Sequence, residues 1–138
     1  MSLTAEERHD VVAYRIEKAN KTLEEAKSII AFKYWNLIAN RLYYAAYYAT
    51  SALLVANGYL TKSHDGTINL FGLHFVNKGI VPPEMGKLVR KLFKCRLTGD
   101  YSDKFDLTEN DVMPLLEPTE QLIAFVSGLA KQALLSEQ

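Results

Sequence analysis

The chain has 138 residues, with 16 basic and 16 acidic side chains and no formal net charge. That length fits one domain, residues 1–138, and suffices to bury a core. A 49% apolar fraction with eight Tyr, six Phe and one Trp excludes a mainly disordered chain, and the lone Cys95 excludes a disulfide framework or a multi-cysteine zinc site.

Zero net charge argues against a large sequence-blind nucleic-acid surface, though not against a local basic patch. No run of eighteen apolar residues occurs. The start, Met1-Ser2-Leu3-Thr4-Ala5-Glu6-Glu7, lacks the basic and apolar regions of a signal peptide. A cytoplasmic location without membrane attachment is therefore expected.

Hydrophobic period is helical nearly throughout. Thr4-Ala5-Glu6-Glu7 has capping-box spacing and predicts a helix start. Val12, Ile16, Ala19, Leu23, Ala26 and Ile30 then form one apolar stripe. A second helix is predicted from about Tyr34 to Asn57, ended by Gly58 as a C′ glycine. Its alanine-rich stripe, Trp35 to Ala56, invites close helix approach. A second stripe holds Leu37, Arg41, Tyr44, Tyr48, Ser51 and Val55, so this helix is central, and an arginine in it needs a partner or a route to solvent.

A third helix is expected over His64 to Lys78, with Ser63 as N-cap and Gly79 as the stop. A fourth begins at Pro82-Pro83 and runs to about Leu97, with Gly99 ending it and a loop following over Asp100 to Asp106. The last starts near Thr108 or Leu115, its first turns complicated by Pro114 and Pro118. No period-two strand is evident. The expected fold is an all-α up-and-down bundle of four to five helices.

G-x-G-x-x-G, P-loop and H-E-x-x-H motifs are absent, and His9, His64 and His74 have no ligand-like spacing. No metal and no cofactor is therefore expected. The segment Lys94-Cys95-Arg96-Leu97-Thr98-Gly99-Asp100-Tyr101 is the most suggestive for chemistry. A guanidinium at Arg96 can grip a phosphate bidentately, with Asp100 as its partner or a base and Tyr101 offering a hydroxyl. The same residues also fit a helix-end Arg–Asp pair that anchors a loop.

Arg41, Tyr44 and Tyr48 read either as a polar seam lining a cleft beside Arg96 or as plain packing. His64 reads either as a proton shuttle or as a helix-start residue with a local hydrogen bond. Lys87, Arg90, Lys91, Lys94 and Arg96, set against Glu84 alone, fit a phosphate-attracting patch or a solvated helix face.

The run Ala39-Asn40-Arg41-Leu42-Tyr43-Tyr44-Ala45-Ala46-Tyr47-Tyr48-Ala49 resembles the R-x-Y-Y-A-x-[FY] signature of HEPN domains. Lys62-Ser63-His64-Asp65-Gly66, Phe71-Gly72-Leu73-His74-Phe75, Gly79-Ile80-Val81-Pro82 and Arg96-x-x-x-Asp100-Tyr101 follow in the order of the stand-alone prokaryotic branch. The resemblance spans about Leu23 to Ala130. It implies a helical homodimer, often encoded beside a minimal nucleotidyltransferase as the toxin of a toxin–antitoxin pair. Active members are metal-independent ribonucleases. Their Arg, four to six intervening residues and a His act on the scissile phosphate near the dimer interface, with the RNA 2′-hydroxyl as nucleophile.

Arg96 carries over; Tyr101, Ser102 and Asp103 stand where the His should fall. His64 is a candidate to replace it in space. In some members a tyrosine just past the His is modified by the partner nucleotidyltransferase, and Tyr101 lies near that position at a different spacing. Three functions follow from the resemblance. The first is a nucleotide- or RNA-phosphate-binding module, with Arg96, Asp100 and Tyr101 at its centre and Arg41, Tyr44, Tyr48, His64 and Lys94 around it. The others are an endoribonuclease toxin with a degenerate motif and a purely structural homodimer.

Overall fold

The computed structural model describes residues 3–136; Met1, Ser2, Glu137 and Gln138 lie outside the described residues. Helix α1 spans Ala5–Ser28 and opens with the capping box its sequence predicts. The Glu7 N–H donates to Thr4 Oγ1 at 3.1 Å, and the Thr4 N–H donates to Glu7 Oε1 at 2.9 Å. These bonds hold the Glu7 carboxyl below its usual range. A 3₁₀ turn, Ile30–Phe32, and Lys33 in the left-handed region (φ 60°) then reverse the chain into α2, Trp35–Ala56.

Helix α2 is the axis of the molecule. Val12, Ile16, Ala19, Leu23 and Ala26 of α1 are buried, as are six alanines of α2 together with Ile38, Leu42, Tyr43, Leu53 and Leu54. Helix α1 and the later helices over Pro83–Tyr101 and Leu116–Leu135 all pack on α2. The Glu25–Arg41 and Arg15–Ser51 contacts show that α1 and α2 run antiparallel. Helix α2 ends at Gly58, whose φ of +84° only a glycine takes without strain.

Helix α3 covers His64–Phe71 and continues into a π turn, Gly72–Val76. The single helix predicted to Lys78 is thus shorter and changes its winding midway. Helix α4 spans Pro83–Tyr101, with proline in its first turn. A one-turn α5, Glu109–Val112, and a 3₁₀ turn, Met113–Leu115, lead into α6, Leu116–Leu135. Both starting points foreseen for the last helix are therefore real, the first for α5 and the second for α6. Pro114 falls in the 3₁₀ turn and Pro118 in the first turn of α6, where a missing N–H does little harm. The architecture is an all-α bundle of five longer helices plus α5, without strands among the described residues.

One expectation is corrected. Gly99 does not end α4, which runs on to Tyr101. Its lack of a side chain serves packing: a Cβ there would lie 3.2 Å from Asn36 Cα and 3.2 Å from Leu107 Cδ1. The closeness lets Asn36 hold the following loop. Its side-chain NH₂ donates to Asp106 Oδ1 at 2.9 Å, and its carbonyl oxygen accepts the Leu107 N–H at 2.9 Å. Asp100 and Tyr101 therefore belong to the helix, in register with Arg96.

Gly99→Ala should destabilise the fold by about 1–2 kcal/mol, because backbone has to move to admit the methyl group. Gly128→Ala on α6, where a Cβ would meet nothing within 4 Å, should stabilise by about 0.5–1 kcal/mol through helix propensity. Urea denaturation of both variants tests the contrast; equal shifts would remove the packing role of Gly99.

Candidate functional site

Because α4 is continuous, Arg96 and Asp100 are one turn apart on the same face. Arg96 Nε donates to Asp100 Oδ2 at 3.0 Å, and its Nη2 donates to Tyr44 Oη at 2.9 Å. The Arg96 side chain is only 13% exposed and that of Asp100 25%. Three rings surround the guanidinium: Tyr44 at 5.3 Å, Tyr101 at 5.5 Å and Tyr43 at 5.8 Å from its carbon. Nη1 makes no hydrogen bond among the described residues. The cation is thus fixed in orientation with one edge of its fork uncommitted.

Asn40 extends this pair across α2. Its Nδ2 donates to Asp100 Oδ2 at 3.0 Å, while its Oδ1 accepts from Arg41 Nε at 3.0 Å and Nη2 at 2.8 Å. Arg41 Nη1 in turn bonds Glu25 Oε1 of α1 at 3.2 Å. The seam expected from Arg41, Tyr44 and Tyr48 does lie beside Arg96. Arg41 sits 5.5 Å over the Tyr44 ring, and the Tyr44 and Tyr48 rings are 6.0 Å apart.

His64 enters from α3. Ser63 Oγ accepts the Gly66 N–H at 2.9 Å and caps that helix. Gly66 leaves room for this cap, because a Cβ would lie 2.7 Å from Thr61 Oγ1 and 2.8 Å from Ser63 Oγ and displace hydroxyls that are hydrogen-bonded here. The turn delivers His64 onto the aromatic cluster, with ring centres 4.5 Å from Tyr47, 5.6 Å from Tyr43 and 5.8 Å from Tyr44. Tyr43 Oη and His64 Nδ1 are 2.6 Å apart.

Burial pushes the fully buried Tyr43 hydroxyl up, keeping it protonated. Burial, reinforced by the Arg96 charge, pushes His64 below its ordinary value, while Asp65 opposes this. With Tyr43 protonated and His64 neutral, the bond forms either with the Tyr43 O–H donating to Nδ1, which leaves the imidazole proton on Nε2, or with Nδ1–H donating to Tyr43 Oη.

Of the residues singled out in the sequence, Arg96, Asp100, Tyr101, Arg41, Tyr44, Tyr48 and His64 fall in or beside one cluster. Lys94 does not. It is exposed, two residues before Arg96 and therefore turned about 200° around α4. Lys87 and Lys91 lie elsewhere too, on a groove with Leu88, Pro114 and Leu115. Sequence reasoning missed Asn40, Tyr43 and Phe93, whose ring centre lies 5.5 Å from that of Tyr43 and 6.4 Å from that of His64. Asn40 carried a signal, since it directly precedes Arg41 and lies one turn from Asn36 on α2.

The HEPN domain profile matches residues 12–129. The chain belongs to the HEPN domain family. A UPF0332 protein of Thermotoga maritima is 31% identical over 123 residues, covering 89% of this chain and 93% of the relative. A Methanocaldococcus jannaschii protein named "Putative toxin MJ0605" is 31% identical over 120 residues, covering 86% and 88%. The crystal structure of TT1696 from Thermus thermophilus shares the fold. Its TM-score is 0.72 at 18% identity, over 86% of this chain and 97% of that one. In this HEPN chain the signature residues Arg41, Tyr43, Tyr44 and Tyr47 all contribute to the cluster around Arg96 and His64. Among the described residues no helix is long and apolar enough to cross a membrane.

The lowered His64 value sets a sign for the pH dependence of stability. As pH falls through the ordinary value of 6.5, the unfolded chain takes up the proton before the folded one, so stability is lost from there down to the folded-state value. Melting temperatures between about pH 7.5 and 5 should show the advantage of wild type over His64→Gln shrinking as pH falls. A constant difference would contradict the half-buried neutral imidazole.

Proposed function

We propose that this HEPN domain binds the phosphate of a nucleotide or of RNA at Arg96, as a homodimer acting with a minimal nucleotidyltransferase in a toxin–antitoxin-like pair. The observation that carries the reading is the Arg96 guanidinium. It is pinned by Asp100 and Tyr44, backed by tyrosine rings, and has Nη1 uncommitted. Asp100 orients the fork and Asn40 shares its carboxylate, so Asp100 does not collapse onto the cation alone. Tyr101, 66% exposed, borders the same cation from the solvent side. The toxin name of the Methanocaldococcus relative favours a role in such a pair.

A second reading, a metal-independent endoribonuclease, is favoured by one observation. His64 and Arg96 flank the same Tyr43–Tyr44 pair although they come from different helices. In that reading Arg96 balances charge on the phosphate while the His64 Nε2–H is a donor in place of the missing motif histidine. The RNA 2′-oxygen would attack phosphorus, its proton passing to water, as the bond to the 5′-oxygen breaks and that oxygen takes a proton from water, leaving a 2′,3′-cyclic phosphate and a 5′-hydroxyl.

Titration with ATP and metal-free incubation with mixed RNA at low salt test both. Arg96→Ala should weaken ATP binding about 10- to 100-fold, the effect of losing charge-assisted hydrogen bonds of roughly 1.5–3 kcal/mol. Binding equal to wild type would remove the site assignment. RNA cleavage lost in both Arg96→Ala and His64→Ala would establish the second reading; no cleavage by wild type would end it.

A further inference from the structure

The tyrosine seam does not stop at Arg96. Lys18 of α1 places its ammonium 4.9 Å from the Tyr48 ring centre and 5.7 Å from that of Tyr14. Arg41 and Arg96 both sit on Tyr44, and Tyr44 and Tyr48 are neighbours 6.0 Å apart. Three cations from three helices are thus lodged on adjoining tyrosine faces. A ring holds a cation in place without neutralising it, so the charge of Lys18 remains whole for an anion, whereas Arg41 and Arg96, also paired with Glu25 and Asp100, offer the uncommitted edges of their forks. Lys18 and Lys21 make no ion pair among the described residues.

A groove of about 250 Å³ opens at this end of the seam, between α1 and Arg41, lined by Tyr14, Lys18, Lys21 and Glu25 among others. Glu25 is matched by Arg41, leaving Glu17 as the remaining carboxylate of the groove against two lysines. Tyr14 borders it and is 61% exposed, so its ring is accessible to a planar base.

We propose that this groove is a second binding site, a track that carries a single-stranded nucleic acid from Arg96 across Arg41 to Lys18 and Lys21. The proposal rests on the phosphate reading of Arg96 and extends it from one phosphate to a chain. A mononucleotide has no use for cations distributed over α4, α2 and α1, whereas a phosphodiester backbone meets them in turn. Unpaired bases find tyrosine faces beside the track. Local placement of the cations reconciles such a ligand with zero net charge.

The test uses a fluorescent oligouridylate of about ten nucleotides, an oligothymidylate of the same length, and UMP, each titrated at several salt concentrations. Wild type is compared with Lys18→Gln/Lys21→Gln and with Arg96→Ala. The lysines are exposed, so the double variant should fold as wild type. It should bind the oligonucleotide about tenfold more weakly at low salt and keep its affinity for UMP. Its log–log salt slope should fall by about 1.4, the release of two phosphate contacts at roughly 0.7 each. Arg96→Ala should weaken UMP and oligonucleotide alike.

Equal affinity and slope in the lysine variant would overturn the track while leaving Arg96 intact. UMP binding with no added affinity for the longer chain would do the same. A lysine variant that changes the oligomeric mass instead of nucleic-acid affinity would overturn it too, marking this face as a contact between copies. If Arg96→Ala has no effect while the lysine variant does, the phosphate reading of Arg96 fails and with it the track from Arg96, leaving only an anion-binding groove at Lys18 and Lys21. The oligothymidylate series then separates RNA from any single strand.

Discussion

Enclosing α2 on nearly every side decides where its polar residues can go. Fourteen of its 22 residues are buried, and small alanines bring the neighbouring helices close to its backbone. Asn40, Arg41, Tyr44 and Tyr48 occupy the remaining edge, where α1 and α4 meet it. A buried cation without partners would carry a heavy desolvation penalty. The hydrogen-bond chain from Glu25 through Arg41, Asn40 and Asp100 to Arg96 is the arrangement that avoids this. The same chain joins α1, α2 and α4, so the candidate site and the packing of three helices have one physical origin.

Helices were legible in the sequence wherever the cause was local. Thr4 and Glu7 are three residues apart, and their mutual capping needs nothing from elsewhere. Gly58 was legible for the same reason, because its backbone conformation is a property of the turn. Gly99 was not. A glycine that ends a helix and one that admits a neighbouring backbone look alike in sequence, and only the distance to Asn36 separates them. The π turn after Phe71 likewise had no local marker.

The site divides along the same line. Arg96 with Asp100, and Arg41 with Tyr44 and Tyr48, sit at helical spacings that place each set on one face. Meeting of the two sets depends on α2 and α4 running antiparallel with Gly99 at their contact. The Tyr43–His64 bond joins residues 21 apart across a chain reversal, and the sequence offered only His64, beside a capping serine. Lys94 shows the converse: neighbourhood to Arg96 in sequence put it in the set, and helix rotation takes it out of reach of the cluster.

Helix α4 running unbroken through Tyr101 has a consequence for how the site meets a ligand. Its central cation, the carboxylate that orients it and the exposed tyrosine beside it all lie within the last turns of one rigid rod. Under the proposed phosphate binding, no segment of α4 would have to become ordered when an anion arrives, so association would not carry the entropy penalty of coupled folding. In the proposed binding, capture would then be governed by diffusional encounter and local electrostatic attraction, and residence time by the quality of the contacts made afterwards.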